Sequence, residues 1–422
     1  MRRVVVIGMA GISPIGQDWE TVSYNLKSMN NSIQYMKDWD IYEGLNTRLG
    51  GPVLDFKLPK HYTRKIRRTM SRVSEFSARS CELAVIDAGL LDDSVLKSGR
   101  TGVSFGSSTG GTDSIRDMAS MYFKSSTENI KANTYIQMMP HTTAFNVGVF
   151  LGITGRLLPS STACTSGSLS IGMGYESIKF NLQDIMVVGG AEELCPTEAA
   201  VFDTLYATST MNETPELSPS PYDRSRDGLV IGEGGGALIL EEMEHALSRD
   251  AHIYSELVGF GTNTDGQHAT QPESRTMGIA MQLALDDANL DNQAIGYVNG
   301  HGTATDKGDI LFGLSSLTRL IELRPELEEE FSFGIESLKN RLNDISYLKT
   351  QERIEDYIES EKNRAKRKFY KQVKVGMNKE EIIELMGQPA FIENKYIDNS
   401  IKELWFYFDT IDEEYINFYF EN

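Results

Sequence analysis

Short apolar runs punctuated by glycine alternate with amphipathic stretches along the first three quarters of the chain. Residues 3–8, 102–106, 184–190 and 236–241 are almost wholly apolar, as strands buried on both faces are. Around them, 72–89, 165–181 and 274–289 carry apolar residues at helical spacing, which predicts amphipathic helices. Strands that alternate with helices predict a layered α/β architecture.

Past residue 309 the pattern changes. Leu317, Leu320 and Ile321, then Ile354, Tyr357 and Ile358, recur at helical spacing among charges, so 310–370 reads as a charged helical segment. In 371–422, Asn378 is a plausible N-cap for a helix that runs to Met386 and closes at Gly387-Gln388-Pro389. Alternating aromatics in Leu404-Trp405-Phe406-Tyr407-Phe408 and Ile416-Asn417-Phe418-Tyr419-Phe420 then predict two strands, giving a small α+β domain. Composition shifts at the same place. From 310 onward 39 of 113 residues are charged, against 62 of the 309 before them, and only four of the 37 glycines lie there. Such a shift marks a segment foreign to what precedes it.

Two segments carry candidate chemistry. Ser160-Ser161-Thr162-Ala163-Cys164-Thr165-Ser166-Gly167 runs from an apolar approach into a predicted helix. That places Cys164 at a strand-to-helix turn, where backbone N–H groups and the positive end of the helix dipole favour a thiolate. A lone cysteine in a turn of small residues is also what plain packing produces. The second segment is Gly296-Tyr297-Val298-Asn299-Gly300-His301-Gly302-Thr303-Ala304-Thr305-Asp306-Lys307-Gly308-Asp309, read as an apolar strand ending in a histidine between glycines. An imidazole there suits proton movement or hydrogen bonding to a developing oxyanion, although a capped loop histidine is common. Together the two suggest Cys–His chemistry on a thioester.

Charge and cysteine usage narrow the class. Three widely spaced cysteines (Cys81, Cys164, Cys195) imply no disulfide framework. The apolar run after Arg2 and Arg3 is short and broken, so it reads as a first strand rather than a signal peptide, and no run approaches membrane-spanning length. A cytoplasmic protein is expected. The net charge of −19 argues against a nucleic-acid partner. Gly8, Gly11 and Gly16 lack dinucleotide-loop spacing. Arg64, Lys65, Arg67 and Arg68 form a local basic cluster that an acidic partner would meet, or simply a solvated face.

Residues 1–309 resemble the β-ketoacyl-acyl-carrier-protein synthases, condensing enzymes of the thiolase fold. The resemblance is carried by Val4-Val5-Val6-Ile7-Gly8-Met9-Ala10-Gly11, Gly106-Ser107-Ser108-Thr109-Gly110-Gly111, the Cys164 turn and Val187-Val188-Gly189-Gly190-Ala191-Glu192. It continues through Pro221-Tyr222-Asp223-Arg224-Ser225-Arg226-Asp227-Gly228, Gly232-Glu233-Gly234-Gly235-Gly236 and the His301 loop. The run Glu192-Glu193-Leu194-Cys195-Pro196-Thr197-Glu198 is similar to the subtype that builds aryl polyene pigments.

The resemblance implies a thiolase-like layered α/β fold of two similar halves, 1–250 and a partial 251–309, in a homodimer or a heterodimer with another synthase subunit. It implies an acyltransferase of fatty acid or polyene biosynthesis, with no bound cofactor or metal and with substrates carried on the phosphopantetheine of an acyl carrier protein. Cys164 would take the acyl group, and its N–H would serve an oxyanion hole. His301 would assist decarboxylative condensation, Thr303 and Thr305 would hold the phosphopantetheine arm, and Phe202 and Met138 would line the acyl pocket. After Asp309 the family's lysine, second histidine and glycine-rich phenylalanine gate are not visible. His301 is the last histidine, and Lys339 lies in a helical polar context that does not suit the lysine role. The second half is therefore expected to be incomplete, with an apolar surface left exposed. An alternative function is a fused or truncated chain that binds a carrier protein or partner without condensing anything. Residues 371–422 resemble the small domain of outer-membrane assembly lipoproteins, which supports a fold expectation alone.

Overall fold

The structure is a computed structural model. It describes residues 1–266, 273–305 and 308–309, together with three strands between 391 and 421. The chain falls into two compact units, Met1–Asn343 and Asp344–Asn422. In chain order the strands of the first unit are β1 (Val4–Ile12), β2 (Gln34–Tyr35), β3 (Leu49–Gly51), β4 (Thr101–Gly106), β5 (Leu157–Ser160), β6 (Ile185–Glu192), β7 (Ile231–Gly232), β8 (Gly234–Glu242) and β9 (Ser255–Leu257). Its helices are α1 (Trp19–Lys27), α2 (Arg72–Asp87), α3 (Thr112–Lys124), α4 (Thr134–Met138), α5 (Thr142–Leu151), α6 (Ser166–Lys179), α7 (Pro196–Asp203), α8 (Met243–Ser248) and α9 (Ser274–Ala288).

The main sheet has the order β5-β4-β6-β8-β1-β9. β4 pairs in parallel with β5 and β6, whereas β8 is antiparallel to β6 and β1. All four apolar runs of the sequence are strands of this sheet, and their side chains explain why those runs do not alternate with polar residues. Val5, Ile7, Ile185, Val187 and Ile239 enter one core with Phe76 of α2 and Val147 of α5. Val4, Val6, Met186, Val188 and Leu240 enter a second core with Tyr175 and Ile178 of α6. Successive side chains point to opposite faces, so a strand covered on both faces must be apolar throughout.

Close approach of α6 to the sheet depends on a glycine. A Cβ at Gly174 would stand 2.3 Å from Val188 Cγ1, and a β-branched side chain in a buried strand has little freedom to move away.

Two expectations need correction. Residues 296–299 do not form a strand: Tyr297 and Val298 lie in irregular backbone, 80% and 58% exposed. No described strand pairs with them, and an isolated apolar run has no ladder to join. In the second unit the sheet order is β10 (Phe391–Ile397), β11 (Ser400–Asp409) and β12 (Glu414–Glu421), all antiparallel. The sequence reading found β11 and β12 but missed β10, whose centre is Glu393-Asn394-Lys395, residue types depleted in strands. The helices expected in 310–370 and at 378–386 lie outside the described residues. In α9 only Thr276 is buried, and Ile279 and Leu283 are exposed.

Gly174→Ala should destabilise the protein by about 1–3 kcal/mol through overpacking, seen as a lowered thermal midpoint. Gly11→Ala, which meets nothing within 4 Å, is the control and should change little. Equal midpoints for the two variants would contradict this packing.

Candidate active site

Because β4, β5 and β6 run parallel, their carboxyl ends emerge on one edge, where ligands of open α/β sheets bind. Three connections gather there: 107–111 after β4, 161–165 after β5 and 193–195 after β6. Cys164 lies in the second, just before α6, as its sequence predicts.

Hydroxyl groups lock this turn. Ser166 Oγ accepts from Thr162 N–H at 2.9 Å and donates to the Ala163 carbonyl at 2.6 Å. Thr165 Oγ1 donates to the Thr162 carbonyl at 2.8 Å, and Ser160 Oγ to the Ser166 carbonyl at 2.7 Å. Ala163 is thereby held with φ +52°, a left-handed conformation that a residue with a Cβ rarely adopts and that marks functional turns. It presents Cys164 outward, with an exposed side chain.

His301, also exposed, meets it. The imidazole hydrogen-bonds the Cys164 sulfur and holds the thiol below its ordinary value, more than its crowded surroundings and the charge of Glu192 raise it. Reciprocally, the sulfur and then the nearby Asp309 charge raise the imidazole against the cost of partial burial. Both shifts move the pair toward the thiolate–imidazolium form relative to the isolated groups. The largest contribution is His301, which the sequence reading did not name as its cause; a backbone N–H at the turn, which it did name, lowers the thiol further.

Thr303 and Thr305 hydroxyls pair at 2.8 Å, and Gly308 N–H donates to Thr305 Oγ1 at 3.2 Å. Phe202 is half-buried in α7 and Met138 half-buried at the end of α4. The Met138 carbonyl accepts from Gly111 N–H at 3.2 Å, which sets α4 against the 107–111 connection. No described core cluster joins either side chain to the Cys164–His301 pair.

Sequence reasoning missed the carboxylates around this edge. Glu192 accepts from Ser107 Oγ at 3.0 Å and Ser108 N–H at 2.6 Å, and Ser161 Oγ ties that connection to the cysteine turn at 3.3 Å. Glu193 accepts from Thr112 N–H at 2.7 Å and Val73 N–H at 2.9 Å. Glu198, in the first turn of α7, leaves Oε1 buried with no hydrogen-bond partner among the described residues. Burial, then the charges of Glu192 and Glu193, push its carboxyl from 4.5 to about 7, against a hydrogen bond from Thr109. The only sequence signal for this cluster was three glutamates within seven residues.

A carboxyl raised in the fold stabilises most while both states are protonated, and that stability is lost as pH rises from 4.5 through about 7. Thermal midpoints of wild type should therefore fall more between about pH 5 and about pH 8 than those of Glu198→Gln. Equal falls would count against the raised carboxyl.

Comparison with known proteins agrees with the geometry. The model of the β-ketoacyl synthase N-terminal domain matches residues 1–246, and that of the C-terminal domain matches 254–340. The likeness thus runs past Asp309, where the sequence reading ended it. Charged helical spacing there had hidden it. The chain is 35% identical over 312 residues to a 3-oxoacyl-[acyl-carrier-protein] synthase 2 of Vibrio harveyi, covering 73% of this chain and 75% of that one. A crystal structure of a β-ketoacyl synthase from Burkholderia phymatum STM815 is 49% identical with TM-score 0.74, covering 76% and 78% of the two chains. A type II polyketide ketosynthase, solved with its acyl carrier protein and bound to a hexaketide, is 27% identical with TM-score 0.63 over 76% and 78%. The two domain matches in order and the relative 35% identical over 73% of the chain show that the chain belongs to the β-ketoacyl synthase family.

Proposed function

We propose that the chain is a β-ketoacyl-acyl-carrier-protein synthase-type acyltransferase of fatty acid or polyene biosynthesis, with Cys164 as nucleophile and His301 as its proton partner. The single observation that carries this reading is the sulfur–imidazole contact at the start of α6. The Cys164 thiolate attacks the thioester carbonyl of an acylated carrier protein, its own N–H helps hold the oxyanion, and the pantetheine thiol leaves. His301 then polarises a malonyl thioester carbonyl as carbon dioxide departs, and the carbanion attacks the acyl-cysteine.

Further features support the remaining assignments. The paired hydroxyls of Thr303 and Thr305 suit the amides of a phosphopantetheine arm. Phe202 and Met138, on helices beside this edge, suit the walls of an acyl pocket. No bound cofactor or metal enters these steps. An acidic carrier protein fits the basic cluster: Arg64, Lys65 and Arg68 are exposed and make no ion pair among the described residues, while Arg67 pairs with Glu75 at 2.6 Å. Gln137 anchors that segment by donating to the Met70 carbonyl at 3.0 Å. A homodimer or synthase heterodimer fits strand β5, at the sheet's edge among the described residues, beside which Phe145, Val149 and Leu157 are exposed. A cytoplasmic location fits the class, and no described helix is long and apolar enough to cross a membrane.

A second reading, a non-condensing chain that only binds a carrier protein or partner, draws on His301 being the last histidine of the sequence. One polarising donor in place of two typically costs about 10²–10³ in rate. We therefore expect acyl loading to survive and condensation to be slow. Incubation with an acylated carrier protein should give an intact-mass adduct that Cys164→Ala abolishes. Malonyl-carrier condensation should run about 10²–10³ below the Vibrio harveyi relative. Failure of the wild-type chain to form any adduct would favour the second reading.

A further inference from the structure

Residues 221–226 grip the His301 turn at two points. The first is Gly302, whose φ of +61° a side chain would strain. A Cβ there would also stand 3.1 Å from Pro221 Cβ and 3.3 Å from the Tyr222 ring. The Tyr222 hydroxyl accepts a hydrogen bond from Gly302 N–H. The second point is Asp309, whose Oδ2 accepts from the Tyr222 N–H at 2.6 Å and forms an ion pair with Arg226 Nε at 3.3 Å. The side chains of Arg226 and Asp309 are only 4% and 2% exposed, so this anchor is fixed in a setting where charge pairing is strong.

Between the two points Tyr222 itself has φ +67°. A bulky residue in the left-handed region is an outlier that persists only where its surroundings hold it, and such residues cluster at functional sites. Burial does not account for it, because Tyr222 is 51% exposed. What the conformation does achieve is to aim the N–H at Asp309 while the ring and hydroxyl reach Gly302, the residue after the imidazole.

We propose that Tyr222 is a positioning residue for His301, its hydroxyl and N–H bracing the Gly302 backbone against Asp309 so that the imidazole stays on the Cys164 sulfur. The inference rests on the Cys164–His301 reading above. Among the described residues, the charged and titratable groups that face this imidazole are Cys164 and Asp309, with Glu192 acting on the sulfur.

The test is iodoacetamide alkylation of Cys164 in the full chain, quantified on the Cys164 peptide across pH. It is run on wild type, Tyr222→Phe, His301→Ala and the double variant. Loss of one hydrogen bond should slow alkylation of Tyr222→Phe at mildly acidic pH about three- to tenfold and move its inflection upward. Asp309→Asn should act in the same direction. In the His301→Ala background, Tyr222→Phe should change nothing further. A wild-type profile for Tyr222→Phe overturns the proposal, as does an undiminished effect without His301. Should His301→Ala itself leave the profile unchanged, the Cys–His reading fails and the inference falls with it, an outcome distinct from the other two.

Discussion

The hydrogen bond between the Cys164 sulfur and the His301 imidazole is the contact on which the rest of the site depends. Partial desolvation and the charge of Glu192 both oppose ionisation of the Cys164 thiol. A proton shared with an imidazole reverses that balance, and it works only while the two side chains stay together. Much of the surrounding structure serves that geometry. Serine and threonine hydroxyls keep Ala163 left-handed and so present the sulfur, and the Gly302 turn presents the ring.

The sheet beneath is what lets distant segments of sequence meet. Three parallel strands deliver their carboxyl ends to one edge, and α6 can start there because it lies close on β6 at Gly174. Helical cover on both faces, by α2 and α5 on one side and α6 on the other, supplies the two cores that hold those strand ends in place.

What was legible in the sequence was local. Apolar runs without alternation gave β1, β4, β6 and β8 because both faces of each are buried, and helical spacing gave α2, α6 and α9 nearly to their ends. Cys164 and His301 were legible from their small-residue and glycine settings. Their contact was not, since nothing in either segment encodes distance to the other. The same holds for the carboxylates. Glu198 looks like an ordinary first-turn glutamate until Glu192 and Glu193 are seen beside it. Residues 296–299 misled because Tyr297 and Val298 read as a strand, whereas no described strand pairs with them. Charge density after Asp309 misled in the other direction, since it masked a family likeness that runs to residue 340.

The central claim is that His301 sets the ionisation of Cys164. Its most direct measurement is the ultraviolet absorbance of the thiolate, titrated as the difference between wild type and Cys164→Ala and repeated with both proteins carrying His301→Ala. The account predicts a midpoint below that of an ordinary thiol in the first pair and a clear upward move in the second. A midpoint at the ordinary thiol value, unmoved by loss of the imidazole, would contradict it.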